Sequence, residues 1–425
     1  MGGKVSNTEP AVFNTGSSTV VEKCQICANP ELKPIIFLGY LPPVNKMNFV
    51  GEKPHEQPSY PAQLLYCPKC HLVQLGLLVD AKVLFPPEYP YTSSTTKILR
   101  DNFAGLYSEC EELLDLAKDD LVIDIGSNDG NLLSNFKDNH RVLGITPEDI
   151  GKIAIERGIP TILDYFKPKV VEKVLNEYGK AKIITATNVF AHIENVHEVL
   201  DGIIDLLEED GVFITESHYL LPLEETLQYD TIYHEHLRYY SLHSLKYLLE
   251  SHGLEIFHAK PIPTHGGSIR VYAAKKGKHK RSDSVQEILG KEKNKITGID
   301  NFKSFKDKVV LSKIKLYSLL LNIKNNGEKI YGISAPSRAS TLINYVGLDD
   351  GIIDYVLEIK GSHKIGKYIP GTLIPVVDET VLYEDQPEYA IIFSWHIADE
   401  LIPKIKDKGF KGKFIVPLPE PEIIK

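Results

Sequence analysis

Short apolar runs alternate with amphipathic segments through the middle of the chain. Apolar runs of a few residues predict strands, whereas apolar positions three and four residues apart predict helices. By this pattern, strands are predicted at residues 121–125, 141–145, 160–163, 181–185 and 211–216. Helices are predicted at residues 100–117, 150–157, 168–178 and 196–207. A regular alternation of strand and helix indicates right-handed crossovers, so we expect a parallel, doubly wound sheet.

The regions on either side of this series have different patterns. A long helical region at residues 284–325 precedes a second strand and helix series, whose strands are predicted at residues 329–333, 354–357, 389–393 and 413–416. Residues 21–99 are instead rich in Pro, Tyr and Cys, with short strand-like runs at residues 35–38 and 72–77, which is typical of a small metal-stapled module. We therefore expect an α/β chain with a polar tail at residues 1–20 and domains at residues 21–99, 100–260 and 261–425, the last of them Rossmann-like.

Composition and charge exclude two classes of partner. The chain has 425 residues, of which 43% are hydrophobic and 25% charged, and its formal net charge is -9. No apolar stretch approaches the ~20 residues that a membrane-spanning helix requires. A net negative charge argues against a protein that coats nucleic acid. The densest basic run, at residues 275–281, is interpreted as a solvated hairpin or linker.

Four of the five cysteines form two CxxC pairs. Cys24 and Cys27 make the first pair, and Cys67 and Cys70 make the second. Two such pairs supply the four soft ligands that tetrahedral Zn²⁺ prefers, and with sulfur at all four positions the metal would be structural. The alternative is two unrelated redox or free-thiol pairs. The odd count, which leaves Cys110 alone, fits a reducing compartment, so a cytoplasmic protein is expected.

A glycine-containing turn follows the first strand of the central series. Asp124 precedes Gly126, and the spacing Gly126-x-Asn128-x-Gly130 differs from the GxGxxG turn of dinucleotide-binding domains. Glycines let the backbone approach a ligand closely, and an acid at this place can bind an amino group, whereas a pyrophosphate would disfavour a carboxylate. These features favour S-adenosylmethionine as the ligand.

Further contacts to this cofactor are expected at the ends of the next two strands. At the end of the first of these strands an acid usually holds the ribose hydroxyls of the cofactor, but this sequence has Thr146 at that place, followed by Glu148. Asp164 is a candidate for the adenine amino group, with Phe166 against the ring face. The alternatives for these two residues are a helix N-cap and a core aromatic.

A dense group of His, Tyr and Glu follows the fifth predicted strand. It is centred on Tyr233, His234, Glu235 and His236. Such groups usually carry proton chemistry. The HEH triplet lacks the i, i+4 histidine pair of the HExxH motif and cannot place two zinc ligands on one helical face, which excludes a zinc protease.

Several motifs occur together in a fixed order along the chain. After the two CxxC pairs come YPYTSS at residues 89–94, DIGSNDG at 124–130, NVFAHI at 188–193, YHEH at 233–236 and HGGS at 265–268. Together they resemble the S-adenosylmethionine-dependent C-3′-methyltransferases of dTDP-4-keto-deoxysugars. The resemblance spans nearly the whole chain, because residues 368–375 and Trp395 are similar to features of that family's C-terminal domain. It implies an N-terminal zinc-binding domain, a central doubly wound methyltransferase domain and a C-terminal Rossmann-like domain.

The resemblance also implies a reaction. The proton at C3, beside the sugar ketone, is removed and the resulting enolate attacks the sulfonium methyl group. His236 would be the base, Glu235 would orient it or contact the substrate, and Tyr233 and His192 would donate hydrogen bonds to the ketone oxygen. The remaining expected contacts are Tyr89 and Tyr91 closing over the sugar, His234 and His265 beside the substrate, Asn188 at the cofactor, and Arg338 and Lys364 at the diphosphate.

Some positions depart from the family pattern. Thr146 stands where an acid is common, and Ala335-Pro-Ser-Arg-Ala339 and His396 differ from the family's C-terminal motifs. These departures leave the nucleotide and the sugar open, and the sequence does not distinguish a monomer from a homodimer.

Three hypotheses therefore remain at this point. They are C-methylation of a nucleotide-linked 4-keto-deoxysugar, N- or O-methylation of another small metabolite, and a zinc-dependent binding protein without catalysis. Deuterium exchange at C3 distinguishes the first two, and S-adenosylmethionine binding excludes the third.

Overall fold

The computed structural model describes residues 17–53, 55–85, 96–147 and 149–425. Its N-terminal module, residues 17–85, is built on antiparallel pairing: β2, β3 and β4 lie side by side, and β1 pairs with β5. The elements are β1 (Ser18–Val20), β2 (Lys33–Leu41), β3 (Tyr60–Tyr66), β4 (Val73–Leu75), β5 (Leu77–Val79) and α1 (Ala81–Leu84). The run predicted as one strand at residues 72–77 is two strands, because the chain leaves β3 at Gly76 to pair with β1.

The central module, residues 96–275, contains the predicted doubly wound sheet. Its helices are α2 (Lys97–Leu113), α3 (Gly151–Glu156), α4 (Pro168–Glu177), α5 (Val196–Leu206), α6 (Leu220–Glu225) and α7 (Leu242–Ser251). Its strands are β6 (Leu121–Ile125), β7 (Arg141–Ile145), β8 (Thr161–Ile162), β9 (Ala181–Thr187), β10 (Leu207–His218), β11 (Arg238–Tyr239), β12 (Leu254–Ile262) and β13 (Ser268–Lys275). Every residue of β6 is buried, as expected for a strand covered on both faces.

Within the described ranges, the order of this sheet is β12-β13-β10-β9-β6-β7-β8. The strands from β10 to β8 are parallel, but β13 is antiparallel to β10 and to β12. The expected domain boundary after residue 260 therefore cuts through β12, and the sheet continues to Lys275. The sequence pattern missed this hairpin because β12 and β13 follow one another without the helix that separates the other strands.

The C-terminal module, residues 283–425, contains the second Rossmann-like sheet. Its helices are α8 (Asp283–Lys293), α9 (Asn301–Asn325), α10 (Ser337–Val346), α11 (Thr380–Asp385) and α12 (Ala398–Asp407). Its strands are β14 (Ile330–Ile333), β15 (Tyr355–Glu358), β16 (Val376–Asp378), β17 (Tyr389–Ile392), β18 (Lys413–Val416) and β19 (Glu422–Ile424). The order is β16-β15-β14-β17-β18-β19, parallel except for β19. The helical region predicted at residues 284–325 is two helices, separated at Thr297 and Gly298, which are poor helix formers.

The three modules meet around one segment, residues 226–241. Its strand β11 extends the N-terminal sheet by pairing Arg238 with Gln74 and Tyr239 with Val73. Its 3₁₀ turn, Tyr229–Thr231, contacts α10 of the C-terminal module. This segment contains the YHEH motif, so the motif lies where all three modules converge. None of the helices in the described part of the chain is long and apolar enough to cross a membrane.

Candidate active site and metal centre

The four predicted metal ligands come together in the N-terminal module. The Sγ atoms of Cys24, Cys27, Cys67 and Cys70 all lie within 4.8 Å of one another. The Cys24 and Cys70 sulfurs are 3.4 Å apart, as are those of Cys27 and Cys67. A tetrahedral Zn²⁺ with Zn–S bonds of about 2.3 Å holds its sulfurs roughly 3.8 Å apart. The four thiols therefore fit one structural zinc ion.

The two CxxC turns have the same backbone conformation. The N–H of Ala28 donates to the carbonyl of Cys24 (3.0 Å), and the N–H of His71 donates to the carbonyl of Cys67 (2.9 Å). Ala28 and His71 both have positive φ, 54° and 60°. The matching geometry explains how two distant segments present paired sulfurs to one point.

The glycine turn lies at the carboxyl end of β6. The N–H of Gly126 donates to the carbonyl of Ile145 (2.7 Å), and Gly126, Asn128 and Gly130 all have positive φ. A Cβ atom on Gly126 would overlap the side chain of Val189, and one on Gly130 would lie 2.7 Å from Ile159 Cδ1. Only glycine fits these two positions, so the turn exposes backbone as a cofactor loop requires.

Asp124 lies next to this turn and is almost completely buried. Thr185 Oγ1 donates to its Oδ1 at 2.6 Å. Burial raises the pKa of Asp124 to about 7, although the Thr185 hydrogen bond opposes the shift and the nearby Glu216 carboxylate adds to it. A desolvated carboxylate of this kind gains most from a cationic partner. The residue therefore fits the binding of an amino group.

The other residues predicted to bind the cofactor lie in different surroundings. Thr146 is buried directly after β7, and the N–H of Asn188 donates to the carbonyl of Glu216 (2.8 Å) beside the ends of β9 and β10. Phe166 lies against Gly202 and packs on the hydrophobic core, which supports the core alternative for its ring. Asp164 is exposed and accepts from the N–H of Tyr165. Glu148 lies outside the described residues.

A cluster of histidines surrounds the YHEH motif. The ring centroid of His236 lies 5.0 Å from that of His192, 6.4 Å from that of His218 and 4.2 Å from that of Tyr233. Burial, together with the neighbouring histidines, holds the pKa of His236 well below its usual range. His236 is therefore neutral at physiological pH, as a base must be.

Hydrogen bonds assign the tautomer of two of these rings. His236 Nδ1 lies 3.0 Å from the carbonyl oxygen of Thr231, and His192 Nδ1 lies 2.7 Å from that of Glu235. A carbonyl oxygen only accepts, so each Nδ1 carries the proton and donates. Burial also lowers the pKa of His192. Both rings then present an Nε2 lone pair, which suits His236 as a base. It also corrects the expected role of His192, because an Nε2 without a proton cannot donate a hydrogen bond to a ketone oxygen.

Tyr233 keeps its proton. Burial raises the pKa of its hydroxyl well above the usual value, and the Glu235 carboxylate adds to the shift. The hydroxyl of Tyr233 is therefore available as a hydrogen-bond donor, and its ring packs against that of His236. His265 lies near the same cluster: burial, followed by the Arg338 charge and then by the neighbouring His192, lowers its pKa to about 4.

One of the expected substrate contacts, His234, packs against the N-terminal module, and two others fall outside the part of the chain that the structure describes. His234 Nε2 lies 3.3 Å from the carbonyl of Pro61, and its ring packs against Tyr60, so His234 joins the N-terminal module instead of contacting substrate. Tyr89 and Tyr91 lie outside the described residues.

Arg338, which was expected to bind the diphosphate of the substrate, forms a buried ion pair. Its Nε and Nη2 donate to Asp230 at 2.7 and 3.0 Å, and its Nη1 lies 2.7 Å from His396 Nδ1. The indole N–H of Trp395 also donates to Asp230 (2.8 Å). Because a guanidinium already paired with a carboxylate has little charge left for a phosphate, the diphosphate role does not fit Arg338. Lys364 Nζ donates to the carbonyl of Ala335 (2.5 Å) near the start of α10, and burial lowers its pKa.

Sequence reasoning missed several residues of the site. His218 ends β10, its Nε2 lies 2.9 Å from Gln228 Oε1, and its Nδ1 has no hydrogen-bond partner among the described residues. Its position at the carboxyl end of a parallel strand could have identified it, since ligands bind at that edge. Asp230 and Asn45 gave no such signal, because their partners are far away in the sequence.

Comparison with known proteins identifies each module. Residues 24–85 match a putative zinc binding domain, residues 99–259 a methyltransferase domain, and residues 263–419 a C-methyltransferase C-terminal domain. The C-methyltransferase NovU of Streptomyces niveus is 32% identical over 413 residues, which cover 95% of this chain and 97% of that protein.

Two solved structures resemble about two fifths of the chain. The YcgJ protein of Bacillus subtilis is 14% identical, with a TM-score of 0.33, and covers 42% of this chain and 100% of its own. A magnesium protoporphyrin IX methyltransferase of Synechocystis with bound SAH is also 14% identical, with a TM-score of 0.33, and covers 41% of this chain and 83% of its own.

The fold and the matched domains define a methyltransferase with an attached zinc-binding module. The near full-length similarity to a C-methyltransferase shows that the chain belongs to the C-methyltransferase family. Its reaction is therefore S-adenosylmethionine-dependent C-methylation. The predicted family, fold class and cofactors, S-adenosylmethionine and structural zinc, are confirmed.

Proposed function

We propose that the chain methylates C3 of a 4-keto-deoxysugar carried on a nucleotide diphosphate. The observation that carries the proposal is the packing of the Tyr233 ring, 4.2 Å between centroids, on the neutral ring of His236, whose Nε2 bears a lone pair. A base and a protonated phenol on neighbouring side chains supply what deprotonation next to a ketone requires. The similarity to NovU supports carbon as the methyl acceptor.

In this mechanism, His236 Nε2 accepts the C3 proton while the C–H bonding pair moves into the enolate. Tyr233 donates to the oxygen on which negative charge develops. His192, whose Nε2 also bears a lone pair, accepts a hydrogen bond from a substrate hydroxyl. S-adenosylmethionine supplies the methyl group as a sulfonium when it is bound, and Asp124 holds its amino group beside the glycine turn.

Other parts of the proposal depend on the sequence resemblance. Tyr89 and Tyr91 close over the sugar, and Lys364 contributes positive charge near the diphosphate. The cytoplasmic location and the state as monomer or homodimer stay predictions.

The proposal is tested by solvent exchange in deuterium oxide. We expect the protein to incorporate deuterium at C3 of a dTDP-, GDP- or CDP-linked 4-keto-deoxysugar without the methyl donor, as measured by NMR. His236→Gln removes the base, so exchange and methylation both fall to background. His279→Gln, on the turn after β13, is the matched control and keeps both activities.

Two outcomes contradict the proposal. Full exchange in His236→Gln would assign the base elsewhere. A methylated oxygen or nitrogen without exchange at C3 would replace C-methylation of a ketosugar by O- or N-methylation of another metabolite.

A further inference from the structure

We infer that Asn45 of the N-terminal module is a positioning residue that completes the active site by holding Glu235 and helix α10 together. The inference rests on the proposed function for its kinetic readout only. Asn45 Nδ2 donates to Glu235 Oε1 at 2.7 Å, and Ser337 Oγ donates to Asn45 Oδ1 at 3.2 Å. One side-chain amide thus joins the three modules.

The contact reaches the base through one residue. Glu235 immediately precedes His236, and its carbonyl accepts from His192 Nδ1 at 2.7 Å. A shift of Glu235 therefore moves both rings that present an Nε2 lone pair to the site. Reaction rates depend steeply on such displacements, since reacting atoms must be held close to their attack geometry.

The contact matters because the carboxylate of Glu235 is almost completely buried, with 2% of the residue's surface exposed. A buried carboxylate is stabilised by each donor or positive charge around it. The ammonium group of Lys364 and the phenol of Tyr233 are among the groups that interact with it electrostatically. Asn45 supplies a neutral donor on the side of the N-terminal module.

An amide is the side chain that this position requires. Its NH₂ group donates to Glu235 while its oxygen accepts from Ser337, and an aspartate would keep only the second contact. The loop is held by the N–H of Lys46, which donates to the carbonyl of Pro43 (3.1 Å), and by the buried Val44. Asn45 is thus presented from a fixed turn.

The kinetic test compares Asn45→Ala with Asn45→Asp. Asn45→Ala is expected to lower kcat by roughly 10- to 100-fold, the range of one charge-assisted hydrogen bond, with KM for the donor and zinc content unchanged. Asn48→Ala is the control, because Asn48 meets the C-terminal module through its main-chain oxygen, which accepts from Tyr368 N (2.8 Å).

The pH profile separates positioning from a loss of structure. In Asn45→Asp two carboxylates face each other, so one of them binds a proton more tightly and, once protonated, donates to the other. Its activity relative to the native protein should rise as the pH falls from 8.5 to 5.5, whereas the ratio for Asn45→Ala stays flat. A flat ratio for Asn45→Asp, or native kcat in Asn45→Ala, overturns the inference.

Hydrogen–deuterium exchange gives a readout that does not depend on the substrate. Asn45→Ala should exchange faster than the native protein both at residues 230–240 and at residues 335–340, while Asn48→Ala does not. Native exchange rates in either segment overturn the inference. If the native protein methylates no ketosugar but both segments still exchange faster in Asn45→Ala, the proposed function fails and the role of Asn45 stands.

Discussion

The carboxyl group of Asp124 lies in the interior of the central sheet, at the turn that approaches the cofactor. Its pKa of about 7 results mainly from burial, and the Thr185 hydroxyl donates a hydrogen bond to it at 2.6 Å. An unfolded chain gives the same group a pKa near 3.8. The ligand-free protein therefore holds a proton on Asp124 at mildly acidic pH, and a bound ammonium group would displace it.

We predict that S-adenosylhomocysteine binding weakens as the pH falls through about 7, because protonated Asp124 no longer attracts the ligand's amino group. Asp124→Asn should bind at least ~10-fold more weakly at pH 8, consistent with a lost charged hydrogen bond. Calorimetry at pH 6, 7 and 8 checks both statements. Equal affinity across this range would remove Asp124 from the amino-group site.

The raised pKa of Asp124 also predicts how the stability of the folded protein changes with pH. Between pH 3.8 and about 7 the folded ligand-free protein holds a proton on Asp124 that the unfolded chain has lost, so stability declines as the pH rises through this window. Above pH 7 both states are ionised and the decline ends. Asp124→Asn should remove this contribution to the pH dependence, as measured by urea unfolding.

At the scale of single elements, strand β11 links the module that holds the metal ligands to the YHEH motif. It follows directly after His236 and Leu237, and it pairs with β4, which lies three residues beyond Cys70. The metal thus stabilises β4, whose partner β11 begins two residues after His236. This arrangement gives a physical reason for a zinc-binding module next to a methyltransferase sheet.

We predict that Cys67→Ser loses zinc and turnover while donor binding is retained, because the glycine turn at Gly126 does not contact the metal ligands. Structural zinc contributes roughly 10 kcal/mol or more to small domains, so its loss should unfold the N-terminal module and loosen β11. Zinc content, turnover and exchange rates at residues 233–241 check this. Cys110→Ala, in the core of the central module, is the control and should keep its zinc.

At the scale of the whole molecule, the ion pair of Arg338 and Asp230 connects the C-terminal module to the central module. Both side chains are buried, and Trp395, Gln228 and His396 complete their hydrogen bonds. Asp230 comes from the segment that contains the YHEH motif, whereas Arg338 is the second residue of α10. The pair fixes the C-terminal module against this segment and adds a second connection to that made by Asn45.

We predict that Arg338→Met destabilises the protein by about 3–5 kcal/mol, because it leaves a buried carboxylate without its cation. Asp230→Asn in the same chain should recover part of this loss, so the double variant is more stable than the sum of the single variants predicts. Urea unfolding of the four proteins measures the coupling. Additive effects would mean that the two groups contribute independently.

Local sequence determined the elements and the metal ligands. The strands β6 and β7 were predicted with their observed bounds, because an uninterrupted apolar run between polar turns has few alternatives in a buried sheet. The cysteine pairs identified the zinc site for a similar reason: the CxxC turn is local, and only the meeting of two turns is tertiary. The glycine turn and the YHEH motif were also readable, since each lies within a few residues.

Tertiary structure alone decided which of these side chains meet, and what they can do there. Three sets of contacts join residues that are up to 292 positions apart: the hydrogen bonds of Asn45, which donates to Glu235 and accepts from Ser337, the ion pair of Arg338 with Asp230, and the contact of His234 with Pro61. No periodicity encodes such contacts, because they depend on how separate sheets pack. The proton positions on His192 and His236 likewise depend on carbonyl groups that only the folded chain brings near, and for that reason the sequence could propose roles for these two rings but could not assign which nitrogen of each carries the proton.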